Sequence, residues 1–446
     1  MLNRISAFIN LGKADSLKRR LIKGAVGSFG LKIAGTGLTF TKSLMFARLL
    51  GTDGLGIYAY AMTWVALLSI PAKLGLSQLI VREIAIYQTQ SAWDLIRGLL
   101  LWSNQIVLVV SIGLVLIAGG IAWNSHLDTD SQMLLTFGIA LISLPISSLT
   151  NLRLSAMQGL HQVVLGQLPE VLIAPILLII LTGSGYLIIK EDLSASWVMG
   201  MYVVAMSITF LIGAQLLNQA LPQVVKDAVP KYQIKKWVSS GLPLMFLGAM
   251  HIINSQTDVL MLGAIKSSES VGIYVVVNRL SSLIIFVLAA TNSILAPNIA
   301  SLYAEGKIDK LQNIVTKTSR AVFLASLIIT LNLIIFSYWL LLIFGSNFTQ
   351  GKNALIILCI GQLVNAAVGP VALLLNMTGN ENYTTISIGA SAILNVILNI
   401  LLIPQWGIEG AAIATASSMI VWNVISFVWV RNKLGIDSTA FYKITY

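Results

Sequence analysis

Apolar residues fill this chain in long stretches, each broken by a short polar or glycine-bearing segment. One crossing of a bilayer core roughly 30 Å thick needs about 20 apolar residues in a helix. Stretches of that kind lie near residues 25–46, 57–76, 98–123, 133–152, 165–188 and 196–219. A second set lies near 239–262, 271–296, 320–344, 353–377, 383–404 and 408–430. The pattern predicts an all-α membrane protein of about twelve transmembrane helices. The connecting segments are short and leave no room for a soluble catalytic domain.

Composition strengthens this picture. The 446 residues are 57% hydrophobic and only 10% charged, where a soluble domain carries about 25% charged residues. The single cysteine, Cys359, lies inside an apolar stretch, so no disulfide forms within the chain and the redox compartment stays open. Lys18, Arg19, Arg20 and Lys23 precede the first apolar run, but that run holds Lys32 and Lys42 and has no small-residue cleavage site. Residues 2–23 are therefore expected to form an interfacial amphipathic helix.

The net charge of +11 does not point to nucleic acid, because the charge follows topology. About 20 of the Lys and Arg residues fall in the N-terminus, the even-to-odd loops and the C-terminus, which is the positive-inside bias. The opposite loops hold Arg48, Lys190, Lys266 and Lys352. Both termini are expected in the cytoplasm of a multi-pass plasma-membrane protein (the inner membrane of a bacterium). Lys226, Lys231, Lys235, Lys236, Arg431 and Lys433 are also placed to meet anionic lipid headgroups.

The chain repeats itself. With residue n laid over residue n+216, Gly56-Ile57-Tyr58 falls on Gly272-Ile273-Tyr274, Tyr87 on Tyr303, Thr39 on Ser255 and Lys42 on Asp258. With a slightly longer offset, Met157-Gln158-Gly159 falls on Met377-Thr378-Gly379. Six helices per copy is an even number, so the copies share one orientation and form a parallel repeat. The expected organisation is an interfacial segment (1–23), a first six-helix lobe (24–222), a basic linker (223–238), a second lobe (239–430) and a cytoplasmic tail (431–446). Two such lobes leave a cavity between them, in a V-shaped transporter arrangement. Gly-Ile-Tyr reads as architectural: glycine for a turn and close packing, tyrosine as an interface anchor.

Charges inside a membrane mark pathways. On span one, Lys32, Gly35, Thr36, Thr39, Lys42 and Ser43 share one helical face. The matching span seven carries His251, Asn254, Ser255 and Asp258, and span eight adds Asn278, Arg279 and Ser282. Lys32, Lys42, Arg279, Asp258, His251 and Asn254 are the candidate substrate-binding residues. Each has a plainer alternative. Lys42 and Asp258 are near enough to span ends to snorkel. Arg279 is positioned to pair with Asp258, and His251 to act as a hydrogen-bonded packing residue. Lys73 and Glu170 read as solvated helix ends. Lys32 has no acidic partner in view and is the strongest candidate for an anion. The excess of cations over carboxylates suits a phosphate or pyrophosphate head. Pro71, Pro145, Pro175, Pro243, Pro297 and Pro370 lie in or beside spans and are candidate kinks.

Three stretches carry a family resemblance: A-R-L-L-G (Ala47 to Gly51), M-Q-G-L-H (Met157 to His161) and W-G-I-E-G-A-A-I-A-T (Trp406 to Thr415). With twelve spans, the chain resembles the polysaccharide flippases of the multidrug/oligosaccharidyl-lipid/polysaccharide (MOP) exporter superfamily. The resemblance implies a substrate of undecaprenyl-pyrophosphate-linked oligosaccharide, moved from the inner to the outer leaflet for polysaccharide biosynthesis. It implies membrane lipids as surroundings, and a polysaccharide polymerase or glycosyltransferases as candidate partners of a monomer. Related lipid II flippases carry a cavity arginine on span one where this chain has Lys42, which loses the bidentate geometry. They also have further C-terminal spans, and this chain stops after about twelve.

No cofactor, metal site or catalytic residue is expected. The chain has no Walker A sequence, no H-E-x-x-H and no G-x-S-x-G. A membrane polysaccharide polymerase would need a large outer loop with catalytic charges. A cation-coupled multidrug antiporter of the same superfamily is the other carrier reading, and it would be expected to bury carboxylates in one lobe.

Overall fold

A computed structural model describes residues 2–124, 131–189 and 193–442. Among them every regular element is helical. Nine helices are long and apolar enough to cross a membrane. Two of these hold two spans each. One, Leu2–Lys73, is broken at Gly51 (φ 68°), and the other, Glu381–Leu434, is broken at Gly407 (φ 51°). Both breaks need a backbone conformation that glycine adopts without a Cβ clash. The helix Ile234–Ile265, too polar to score by hydropathy, supplies a twelfth span.

Spans one and two are therefore 30–50 and 52–73, followed by Leu76–Thr89, a helix that continues span two toward the basic end. Span three is Trp93–Asn124 and span four Ser131–Gly159. Span five runs from Val163 to Ile189 through a π-helical turn at Pro169–Ile173. Span six is Ala195–Ala220, span seven Ile234–Ile265 and span eight Ser268–Ala304. Span nine is Ile308–Ile335, extended by Ser337–Phe344. Span ten is Lys352–Val368 with Val371–Met377, interrupted at Gly369-Pro370. Spans eleven and twelve are 381–406 and 408–434. The amphipathic helix expected over residues 2–23 rests on side chains outside the described ones; the backbone there is continuous with span one. Pro71, Pro145, Pro243 and Pro297 sit inside continuous helices, whereas Pro370 accompanies a real break.

The ten-residue loop expected between spans one and two collapses to Gly51, because its polar residues are used against the other lobe. Arg48 donates through Nε to the Ile343 carbonyl (2.5 Å) and through Nη2 to the Leu342 carbonyl (3.3 Å). Thr52 donates to Glu269 (3.3 Å), and Ser268 donates to Asp53. In the repeat register Thr52 matches Ser268 and Asp53 matches Glu269, so each copy makes the same contact to the other.

Gly-Ile-Tyr sits at the centre of this seam. A Cβ on Gly56 would overlap the Ser268 carbonyl, and one on Gly272 would overlap the Thr52 carbonyl. The two glycines let spans two and eight cross backbone to backbone, as small residues do at membrane helix interfaces. The tyrosines are not interface anchors. Tyr58 packs edge-on against Phe46 (5.2 Å) and Tyr202 (6.3 Å), and Tyr274 is fully buried beside Asp258. Both fill the lobe core behind the seam, in the direction that a residue two positions on must point.

At the opposite, basic end the lobes meet, among the described residues, between helix 76–89 and the start of span seven. A Cβ on Gly75 would overlap the Gly241 carbonyl, so span seven starts in close contact with the end of span two. Trp237 donates to the Tyr87 hydroxyl (3.1 Å), and Lys236 pairs with Glu83 (3.0 Å). The side between spans one and eight holds a cleft instead.

Candidate functional site

The cleft has a volume of about 370 Å³ and lies between spans one, five and eight. Span one contributes Lys32, Gly35, Thr36 and Thr39; span eight contributes Arg279, with Phe286, Ala289 and Ala290 nearer the basic end. The polar face predicted on span one thus meets span eight of the other lobe. Its hydroxyls bond back within the helix: Thr36 to the Lys32 carbonyl (2.8 Å), Thr39 to Gly35 (2.7 Å) and Ser43 to Thr39 (2.9 Å). Such back-bonds satisfy each hydroxyl proton locally and leave oxygen lone pairs facing outward. They give the wall polarity without a fixed partner.

Span five enters through its π turn. Pro169 has no N–H to give a regular helix, and the Ala174 N–H reaches back five residues to the Pro169 carbonyl. The widened turn carries Glu170 and Val171 into the cleft wall. Gly35 makes room for it, since a Cβ there would overlap Val171. Glu170 is not a solvated helix end. It accepts from Nη2 of Arg153, a span-four arginine whose side chain is only 3% exposed. Arg153 is a residue the expected cleft set lacks, although an arginine inside a span is a signal visible in the sequence.

Lys32 and Arg279 therefore face one cleft from opposite lobes, and neither side chain makes a hydrogen bond or ion pair among the described residues. Lys42 lies one turn beyond Thr39, toward the sealed end. Its ammonium sits 5.8 Å from the Phe46 ring centre and within the electrostatic reach of Arg279. The one carboxylate of the cleft among the described residues, Glu170, is tied back to Arg153. The wall is cationic on balance.

Asp258 lies elsewhere. It is buried in the second lobe, 3% exposed, and makes no pair with Arg279. Its oxygens accept from the Tyr274 hydroxyl (2.6 Å), Asn399 Nδ2 (2.6 Å), Asn395 Nδ2 (3.2 Å) and the Thr415 hydroxyl. Ser387, Ser391, Asn395 and Asn399 recur every four residues down one buried face of span eleven, and the last two reach Asp258. That spacing is visible in the sequence. His251 is exposed and Asn254 half-buried on span seven, and neither lines the cleft. Lys73 is half-buried at the end of span two, also away from it. Among the described residues no cluster of three or more His, Cys, Asp or Glu could hold a metal.

The sequence profile of the polysaccharide biosynthesis protein family matches residues 21–303, well over half of the chain. The chain belongs to that family. A second profile, that of the MatE family, matches residues 243–401. Among curated relatives, a probable low-salt glycan biosynthesis flippase of Haloferax volcanii is 25% identical, over 93% of this chain and 84% of its own length. A probable flippase of the same organism is 24% identical, over 91% of this chain and 83% of its own. Among solved structures, an inward-facing multidrug resistance MATE transporter of the MOP superfamily is similar with a TM-score of 0.75. It has 14% identity, over 92% of this chain and 98% of that one. An outward-facing one is similar with a TM-score of 0.65 and 14% identity, over 94% of this chain and 96% of that one. The family and the twelve-helix fold together make this a multi-pass membrane protein of the polysaccharide biosynthesis family, with the fold of the MATE transporters.

Proposed function

We propose that the protein is an alternating-access flippase for oligosaccharides linked to an isoprenoid pyrophosphate, such as undecaprenyl pyrophosphate. It carries them from the cytoplasmic to the outer leaflet for polysaccharide assembly. One observation supports this most: Lys32 and Arg279 converge on a single cleft from opposite lobes without acidic partners of their own. A pyrophosphate entering there meets two fixed cations, and the guanidinium offers a fork that matches phosphate oxygens. Because the two come from different lobes, a bound headgroup would bridge the parts that must move against each other. The names of the Haloferax relatives point the same way.

In this reading the basic end is cytoplasmic, with both termini there and the lobes spanning 24–222 and 239–430. The seam at Gly56 and Gly272 then closes the outer end, and the cleft belongs to an inward-facing state. Transport opens that seam and closes the gap between spans one and eight. Lys32, Lys42 and Arg279 serve the headgroup; Asp258, with its neutral partners, keeps the second lobe rigid. The sugar passes with the headgroup while the isoprenoid stays in the bilayer.

The test is purified protein in liposomes, supplied either with a pyrophosphate-linked oligosaccharide or with a cationic dye under an ion gradient. Accelerated movement of the lipid-linked sugar supports the proposal. Gradient-driven dye efflux without lipid movement would replace it by the antiporter reading. Reporter fusions after residues 230 and 446 should both signal cytoplasm, and an outside signal from either would reverse the assigned sidedness.

A further inference from the structure

Arg153 is only half satisfied. Its Nη2 holds Glu170 and lies 3.5 Å from the Gly166 carbonyl, but Nε and Nη1 have no hydrogen-bond partner among the described residues. The guanidinium lies flat against Gly213 of span six, where a Cβ would overlap it. Buried donors of a charged group are seldom left unpaired, because each forfeits its hydration without replacement.

The same side chain lines a second cavity of about 360 Å³, on the face of the first lobe turned away from the cleft. Spans three and six flank this groove and span four forms its floor. Asn104, Gln105 and Asn218 stand around it with Leu108 and Phe210. The neighbouring side chains Leu101 and Leu211 are 42% and 66% exposed, as expected of a surface that faces acyl chains. Asn218 is two residues from the end of span six, at headgroup level. Arg153 is six residues from the end of span four, or about 9 Å along the helix, within the reach of a headgroup that dips inward.

We propose that this groove binds an anionic phospholipid. Its phosphate takes one of the two free N–H groups of Arg153, with the amides of Asn104 and Asn218 beside it, and one acyl chain runs along Leu108 and Phe210. Within the bilayer, a ligand that matches a buried, part-unpaired guanidinium and an apolar wall at once has an anionic head on a hydrocarbon chain. Glu170 of the cleft and this lipid then meet on one guanidinium, from opposite sides.

The experiment compares the full-length protein in nanodiscs of phosphatidylcholine alone and of phosphatidylcholine with phosphatidylglycerol. Retained lipid is read by native mass spectrometry and stability by thermal melting. The wild type should retain phosphatidylglycerol and melt higher in its presence. Asn104→Leu with Asn218→Leu, and separately Ala214→Trp to fill the groove, should cut retention about tenfold, the worth of one charge-assisted contact. Both should also abolish the melting shift. Inorganic phosphate, the free-anion probe, should give no shift. Unchanged retention in the variants, or equal protection by inorganic phosphate, overturns the proposal. A cryo-EM map of the wild type with phosphatidylglycerol reads the site without any substitution; water alone at Arg153 would overturn it too.

Discussion

Lys42 and Asp258 occupy the same position in the two copies of the repeat, and the lobes treat them oppositely. Lys42 is half-buried, with a ring face beneath it and a second cation, Arg279, as its charged neighbour. Asp258 is buried among two amides, a phenol and a threonine hydroxyl that all donate to it. One position keeps an unspent charge near the gap between lobes. The other consumes its charge inside the second lobe and leaves nothing over for a ligand. The duplicated fold has thus divided its labour: the first lobe and span eight present charge, and the rest of the second lobe is locked by its own polar core.

The largest expected effect comes from removing the locked charge. Asp258→Ala leaves four buried donors facing one another and should destabilise the protein by about 3 kcal/mol or more. It would be seen as a fall in melting temperature and membrane protein level. Asp258→Asn keeps the volume and one acceptor oxygen and should cost less. Equal melting of Asp258→Ala and wild type would break the comparison.

Loss of the presented charge should act on transport and spare stability. Lys32→Gln or Arg279→Gln should each reduce transport by about one to two orders of magnitude, the worth of roughly 1.5–3 kcal/mol in a charge-assisted contact. Melting should change little, since neither side chain has a partner to orphan. Arg279→Lys should fall in between. Arg279→Ala combined with Asp258→Ala should be worse than either alone, because the two residues do not pair. Recovery in the double variant, scored by export complementation beside protein level, would join the two sites after all.

The smallest effect concerns the contact between lobes at the basic end. Burial alone would raise the Glu83 carboxyl, but hydrogen bonds from Lys236, Tyr87 and Arg82 outweigh it and hold the group below its ordinary value of 4.5. A depressed carboxyl stabilises the folded state fully above its unfolded value and loses that contribution as pH falls through the folded one. Acidification below about 4.5 should therefore loosen this contact. A distance probe between helix 76–89 and the start of span seven should lengthen there. Glu83→Gln should remove the dependence.

Much of this arrangement was legible in the sequence. The stripe on span one could be read because polar residues at helical spacing stand out in an apolar run, and it does line the cleft from Lys32 to Thr39. The repeat could be read from Gly-Ile-Tyr. Its meaning could not: aligned copies show that two segments are alike, and only the folded chain shows Gly56 and Gly272 touching each other. Glu170 reads as a solvated end in the sequence because a π turn has no pattern of its own, yet the turn carries that carboxylate into the wall. The second lobe's lock was half visible. Asp258 stands out in the sequence as a charge, while the four-residue spacing of Ser387, Ser391, Asn395 and Asn399 looks like ordinary polar content of a long helix.

The central claim is that cations from both lobes grip an anionic headgroup in one cleft. The most direct measurement is the initial rate of pyrophosphate-linked oligosaccharide translocation in proteoliposomes, for wild type, Lys32→Gln, Arg279→Gln and the double variant, at matched protein incorporation. The account predicts a rate about ten- to a hundredfold lower in each single variant and lower still in the double, with melting temperatures unchanged. Wild-type rates in the double variant would contradict it.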